Sequence, residues 1–161
     1  METGRFVTGT ATQTRSDSLL GETIDDRFRL DEKLGEGAVG RVYRATQLSI
    51  DRPVALKVLH GEFRRDEEYQ KRFRREARAI SSFNHPNIVR LIDYGTDGSR
   101  ELTYLAMEYV EGIELYNLLQ KGRLDPRCAL EICHQIAAGL AAAHDAGIIH
   151  RDLKASNIIL V

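Results

Sequence analysis

Only two cysteines occur in the 161 residues, and neither sign of charge predominates. Cys128 and Cys133 stand five positions apart in one expected helix. That spacing does not bring two helical side chains together, so a disulfide between them is not expected. A reduced, cytoplasmic setting is the simpler expectation. Lys and Arg number 23 against 24 Asp and Glu, a net charge of −1. No overall basic field therefore argues for nucleic acid or an anionic membrane as partner. No apolar run approaches the roughly 18 residues of a membrane span. The first 21 residues lack the apolar core of a signal peptide, so no membrane segment is expected in this chain. Internal repeats are absent. What remains, 42% hydrophobic and 29% charged, is the composition of an ordinary globular protein with a core of its own.

Met1 to Asp26 is rich in Thr, Ser, Gly and charge without a sustained apolar period. It is expected to be a flexible polar tail, its hydroxyls (Thr8, Thr10, Thr12, Thr14, Ser16, Ser18) being either solvated or phosphorylation sites. The texture changes at Phe28. Phe28, Leu30 and Leu34 sit at even spacing, Val42 and Ala45 follow a Gly-rich break, and Val54 to Leu59 forms a β-branched run. Three strands in meander order are expected. Asp66 to Phe83 places Tyr69, Phe73, Ala77 and Ile80 on one helical face, ended by Asn84-His85-Pro86. Ile88–Ile92 and Thr103–Met107 read as two strands, with hairpin residues Thr96 to Ser99 between them. After Glu111-Gly112 the pattern turns helical. A short helix holds Leu115, Leu118 and Leu119. A longer one starts at an Asp125-Pro126 cap, runs to about His144 with Ala129, Cys133, Ile136 and Leu140 on one face, and stops at Gly147. Strands, one helix, strands, then helices, without βαβ alternation, predict an α+β fold with a sheet-rich lobe before a helical one.

Three motifs carry chemistry. Gly35-Glu36-Gly37-Ala38-Val39-Gly40-Arg41-Val42 matches G-x-G-x-x-G-x-V, whose glycines let a backbone approach a phosphate chain. A dinucleotide-binding βα turn shares this pattern, but there the last glycine opens a helix, whereas Arg41 to Ala45 alternates like a strand. The other phosphate loop, G-x-x-x-x-G-K-[ST], is absent. Lys57 lies between apolar neighbours in Val54-Ala55-Leu56-Lys57; alone it reads more readily as an edge lysine extending its amine to water. Glu76 sits within the amphipathic helix, where an ion pair with Arg72 is the bland alternative. Together, a Lys on the strand after a Gly-rich loop and a Glu on the next helix form a phosphate-clamping pair. His150-Arg151-Asp152-Leu153-Lys154-Ala155-Ser156-Asn157 fits H-R-D-L-x-x-x-N at every fixed position. Asp152 is suited to accept a proton from an attacking hydroxyl, Asn157 to give Mg²⁺ an oxygen, and Lys154 to place a cation on a migrating phosphoryl group.

These motifs, in this order, resemble the eukaryotic-type protein kinases over about Phe28 to Val161. The resemblance implies a small antiparallel sheet lobe with one helix over 27–110 and the start of a mainly helical lobe over 111–161. Lys154 resembles the Ser/Thr-specific branch, and the Ala-rich helix before His150 looks like bacterial members. The resemblance further implies ATP and Mg²⁺ as cofactors and Ser or Thr hydroxyls of proteins as acceptors, including autophosphorylation. By the family pattern Met107 is the gatekeeper, and the backbones of Glu108 and Val110 bond adenine. Leu34, Val42, Ala55 and Ile159 sandwich the ring, and Glu114 sits near the ribose. Arg151 marks members that read a phosphorylated activation loop, with Arg72 a second phosphate contact.

The sequence departs from the pattern at Val39, where an aromatic is common, and at Ala155-Ser156 in place of Pro-Glu. It also stops before the Asp-Phe-Gly motif, the source of the main metal-binding aspartate, so the leading expectation is a fragment of a longer Ser/Thr kinase. The alternatives are a non-catalytic nucleotide-binding or interaction module of natural length 161, favoured less by the intact Lys57, Glu76, Asp152 and Asn157, and a dinucleotide-dependent oxidoreductase resting on the glycines alone. The long helix and the Ile158–Val161 run are expected to expose apolar faces without partners. Residues 1–161 expressed alone are therefore expected to bind nucleotide weakly and transfer no phosphate. A soluble monomer turning over a generic Ser/Thr substrate at about 1–100 per second would refute this.

Overall fold

Phe28 and Leu30, then Tyr43 and Ala45, then Val54, Leu56 and Val58 are apolar at every second position, and all seven are buried. Period two is the signature of strands with one covered face. In the computed structural model, which describes residues 17–37, 39–59, 71, 77, 80, 81 and 83–161, they lie on strands β2 (Phe28–Glu36), β3 (Gly40–Gln47) and β4 (Arg52–Leu59). With β1 (Thr23–Ile24), β5 (Leu91–Asp97) and β6 (Leu102–Glu108) they form an antiparallel sheet in the order β1-β2-β3-β4-β6-β5. The register sets Tyr43 opposite Leu56 and Leu56 opposite Ala106, so the covered positions align across the strands. The alternate rows, Val42–Lys57–Leu105 and Arg44–Ala55–Met107, share the other face, which is half-open or exposed.

The sheet curls until its two edges meet through side chains. Asp25 N donates to Asp97 Oδ2 at 2.9 Å, and the Tyr104 hydroxyl donates to Asp25. Arg27 pairs with Asp93 and Arg100 with Glu22, tying the β1 side to the β5–β6 hairpin. Inside the curl Phe28 meets Tyr104 edge to face at 5.4 Å, and Ile24 is fully buried. The stretch expected to be a tail up to Asp26 thus includes residues that belong to the sheet lobe; residues 1–16 lie outside the described residues. Residues from Asp17 onward belong to the sheet lobe, because Ile24 fills the core and polar neighbours close the edges. Sequence pattern alone missed this: two strand residues are too few to display a period.

The strand expected at Ile88–Ile92 is displaced. Ile88 instead closes a tight turn opposite His85, and β5 begins at Leu91 and runs through polar Asp93, Thr96 and Asp97. An edge strand accepts such residues, since only one of its sides is paired. Asp97 ends it by accepting from Ser99 N, Ser99 Oγ and Arg100 N. The helix expected over Asp66–Phe83 falls mostly outside the described residues, although Lys71, Ala77, Ile80 and Ser81 are helical and Ala77 is buried.

Beyond the sheet come α1 (Leu115–Gln120) and α2 (Pro126–Asp145). Asp125 caps α2 by accepting from Arg127 N and Cys128 N, with Pro126 at the first helical position. Gly147, at φ 73°, turns the chain away after the helix. The face of α2 that packs overlaps the expected one, with Ala129, Ile136 and Leu140 half-buried, but the most covered positions lie to one side of it. Cys133 is exposed, whereas Gly139 and Ala143 are buried. Small residues win because the turn at Asn87 and Ile88 approaches the backbone of α2, with Asn87 also donating to Gln135 at 3.0 Å. The Ile158–Val161 run is not wholly unpaired, contrary to expectation. Ile159–Leu160 forms β8, antiparallel to β7 (Ile113–Glu114).

Asp97 is 4% exposed. Burial alone would raise its pKa, but the hydrogen bonds from Asp25, Ser99 and Arg100 outweigh burial and hold it at about 2. A carboxyl lowered on folding stabilises the fold above its unfolded value and loses that contribution as pH falls through the folded one. The sheet lobe should therefore lose on the order of 2 kcal/mol between about pH 4 and pH 2. Asp97→Ala should cost about 1–3 kcal/mol at neutral pH and flatten that acid slope, both measurable by denaturant titration.

Candidate active site

Gly35 and Glu36 pair with Val42 and Arg41, so the β2–β3 hairpin carries the glycine motif at its tip. Gly37 N donates to Gly40 O at 2.9 Å, closing the turn. A side chain on Gly40 would meet Val58 O at 2.3 Å, so this glycine permits the close packing of β3 on β4. Gly35 and Gly37 face open space, the property that lets a ligand approach the backbone. The loop leads into a strand, not a helix, which removes the dinucleotide-fold reading. Glu36 binds Lys33 at 2.7 Å and Arg41 at 3.2 Å, so these side chains brace the hairpin base. Val39 is half-buried; Ala38 lies outside the described residues.

Val42, Ala55, Lys57 and Met107 share the half-open face of the sheet, all partly exposed. Leu34 stands beside the glycines at 45% exposure. Sequence reasoning grouped these residues, and the register brings them together. Glu76 and Arg72 lie outside the described residues. At the end of β6 the Glu108 N–H donates to Arg90 O at 2.9 Å, which removes it from the donors a ligand would use. Next to it the Arg44 guanidinium lies 5.6 Å from the Tyr109 ring centroid, a contact sequence reasoning missed; it fastens β3 to the segment holding Val110.

That segment continues into β7. The β7–β8 register sets Glu114 opposite Ile159, and Leu115 N donates to Ile158 O at 2.8 Å. Gly112 was also missed: a side chain there would meet Leu160 O at 2.3 Å, so its lack of one allows the approach. Upstream of β8, a 3₁₀ turn at Ala155–Asn157 folds Asn157 back onto Asp152. Asn157 Nδ2 donates to Asp152 O at 2.8 Å and to Asp152 Oδ2 at 3.0 Å, and Lys154 Nζ sits 2.9 Å from the same carboxylate oxygen. Asp152 N in turn donates to His150 O at 2.9 Å. Arg151 takes φ 62°, a left-handed conformation that a non-glycine residue adopts at some cost. The Lys154 contact, then the Asn157 bond, lower the Asp152 pKa despite slight desolvation, so the group is ionised at neutral pH. Since Asn157 turns its amide nitrogen toward Asp152, its carbonyl oxygen is the atom suited to a hard cation.

A glycine hairpin, a lysine on the open sheet face and a carboxylate held by Lys and Asn are the parts expected of a phosphoryl-transfer site. The protein kinase domain model matches residues 28–161, and the chain belongs to the protein kinase domain family. It is 46% identical over 144 residues to the serine/threonine-protein kinase pkn2 of Myxococcus xanthus, covering 89% of this chain and 17% of that protein. With the serine/threonine-protein kinase PrkC of Bacillus subtilis the identity is 41% over 143 residues, covering 88% and 22%. The crystal structure of the Mycobacterium tuberculosis PknI kinase domain superposes with a TM-score of 0.75 at 30% identity, over 88% of this chain and 58% of that one. The chain thus spans about a fifth of the length of these curated relatives.

Gly40→Ala should destabilise the sheet lobe by about 1–3 kcal/mol, because the clash is with backbone. Gly37→Ala, facing open space, should stay within about 0.5 kcal/mol. Thermal melting of the two variants side by side measures the contrast.

Proposed function

We propose that the chain carries the ATP-binding and catalytic-loop portion of a Ser/Thr protein kinase. The observation that supports this most is the Asp152–Lys154–Asn157 cluster, with two hydrogen bonds and an ion pair inside one short loop. The family generally uses ATP with Mg²⁺, and the residues here fit that pair. Open backbone at Gly35 and Gly37 suits a phosphate chain, Lys57 suits its charge, and the Asn157 carbonyl oxygen suits the metal. Bound ATP and Mg²⁺ supply the transferable phosphoryl group and offset its charge.

In this reading Val42, Ala55 and Met107 line the adenine side, with Leu34 above and Ile159 below. Asp152 accepts the proton of the attacking Ser or Thr hydroxyl, which its ionised state at neutral pH allows. Lys154 keeps positive charge beside the acceptor oxygen, and Asn157 holds the Asp152 carboxylate in one orientation. By the family pattern the role of holding Lys57 falls to Glu76, and that of reading a phosphorylated segment to Arg151. The acceptors are proteins, including hydroxyls of residues 1–26 by autophosphorylation. A cytoplasmic setting agrees with the two free thiols, Cys128 and Cys133. No described helix is long and apolar enough to cross a membrane.

In a chain extended through the rest of a kinase domain, Lys57→Met should reduce phosphate transfer by roughly 100-fold or more. Its melting temperature should hardly move, since Lys57 is only partly buried. Phosphoamino-acid analysis of the products should yield phosphoserine and phosphothreonine. Wild-type turnover in the variant, or predominant phosphotyrosine, would overturn the assignment.

A further inference from the structure

Asp17 lies upstream of the residues the kinase family model matches, yet its side chain is 7% exposed. It accepts from the Tyr43 hydroxyl at 2.8 Å and from Leu19 N at 3.2 Å. The same carboxylate sits 3.5 Å from Lys33 Nζ on β2 and 3.5 Å from Arg41 Nη1 on β3. Both cations also bind Glu36, the residue between the first two glycines. Two carboxylates and two cations therefore alternate across the hairpin immediately behind the Gly37–Gly40 turn. One carboxylate comes from the loop itself and the other from the segment before β1.

We propose that Asp17 is a positioning residue of the phosphate-binding loop, acting through Lys33, Arg41 and Glu36 to hold the glycine hairpin in its ligand-ready shape. Without the Asp17 charge, Lys33 and Arg41 keep their separate contacts to the two Glu36 oxygens but lose the second carboxylate, and the charge behind the turn becomes unbalanced. The Gly37–Gly40 backbone bond closes the hairpin tip, and the ion pairs of Asp17 and Glu36 with Lys33 and Arg41 brace its base. Burial works against ionisation of Asp17, but the bonds from Tyr43 and Leu19 and the charges of Arg41 and Lys33 outweigh it and keep the carboxylate charged. Tyr43, buried and bonded to that carboxylate, has its own pKa pushed up to about 12. The carboxylate thus has two separable tasks: it satisfies a buried hydroxyl, and it pairs with the two hairpin cations.

Asp17→Asn keeps the acceptor for Tyr43 while removing the negative charge, at the expense of the Leu19 N bond to the other oxygen; Asp17→Ala removes the acceptor as well. The proposal rests on the nucleotide reading of the glycine loop, so two readouts on the 161-residue chain are needed. The first is amide hydrogen exchange without ligand. Asp17→Asn should speed exchange at residues 35–40 by roughly threefold to tenfold and leave the β5–β6 hairpin unchanged. The second is the affinity for Mg-ATP against that for adenosine, which has no phosphates. The variant should weaken Mg-ATP by a similar factor and leave adenosine unaffected. Asp17→Ala should add a general loss of thermal stability. Unchanged exchange at residues 35–40 in Asp17→Asn, or equal acceleration throughout the sheet, would overturn the proposal. If the wild type fails to prefer Mg-ATP over adenosine while the local exchange effect appears, the nucleotide reading fails and the positioning role stands.

Discussion

Tyr43, Leu56 and Tyr104 fill the closed side of the curled sheet, and their complete burial dictates where Lys57 points. Burying each such side chain is worth about 1.5–3 kcal/mol. A one-residue slip of β4 would expose Leu56 and Val54 and turn Lys57 into the core. The apolar interior thus carries a positional consequence far from itself: Val42, Ala55, Lys57 and Met107 occupy the alternate positions of the same strands. The proposed nucleotide face is the remainder left by core packing.

Curling that sheet requires its edges to be closed, and here polar chemistry takes over. Asp25, Asp97, Tyr104, Arg27 and Asp93 form a belt in which buried acceptors find donors from the opposite edge. Such a belt contributes little where it is exposed. Its buried members matter more, because a donor or acceptor left unmatched out of water carries the full desolvation penalty. The segment before β2 thereby joins the lobe at both ends, through Asp25 beside β5 and through Asp17 behind the glycine hairpin.

The proposed catalytic loop obeys a different logic. Asp152, Lys154 and Asn157 are exposed, so packing does not hold them. Their arrangement comes from local hydrogen bonds and from β8, whose pairing with β7 ties the loop to the segment leaving the sheet lobe. Gly112 makes that pairing possible by bringing two backbones together without a side chain between them.

Much of this was legible in the residues. Period-two burial in β2, β3 and β4, the Asp125-Pro126 cap and the spacing within the glycine motif and within His150–Asn157 are local properties, and local physics realises them. The true start of the sheet lobe, the polar course of β5, the close approach at Gly139 of α2 and the pairing of Ile159–Leu160 were not legible. Each depends on a partner distant in sequence: Asp97 for Asp25, Tyr104 for the edge, Asn87 for Gly139, Ile113 for Leu160. The sequence by itself determined which residues bear chemistry and which strands have a covered face, because alternation and short motifs need only near neighbours. The tertiary structure alone decided which polar residues become buried braces, since a carboxylate such as Asp17 or Asp97 can be sheltered from water only where folding delivers its donors.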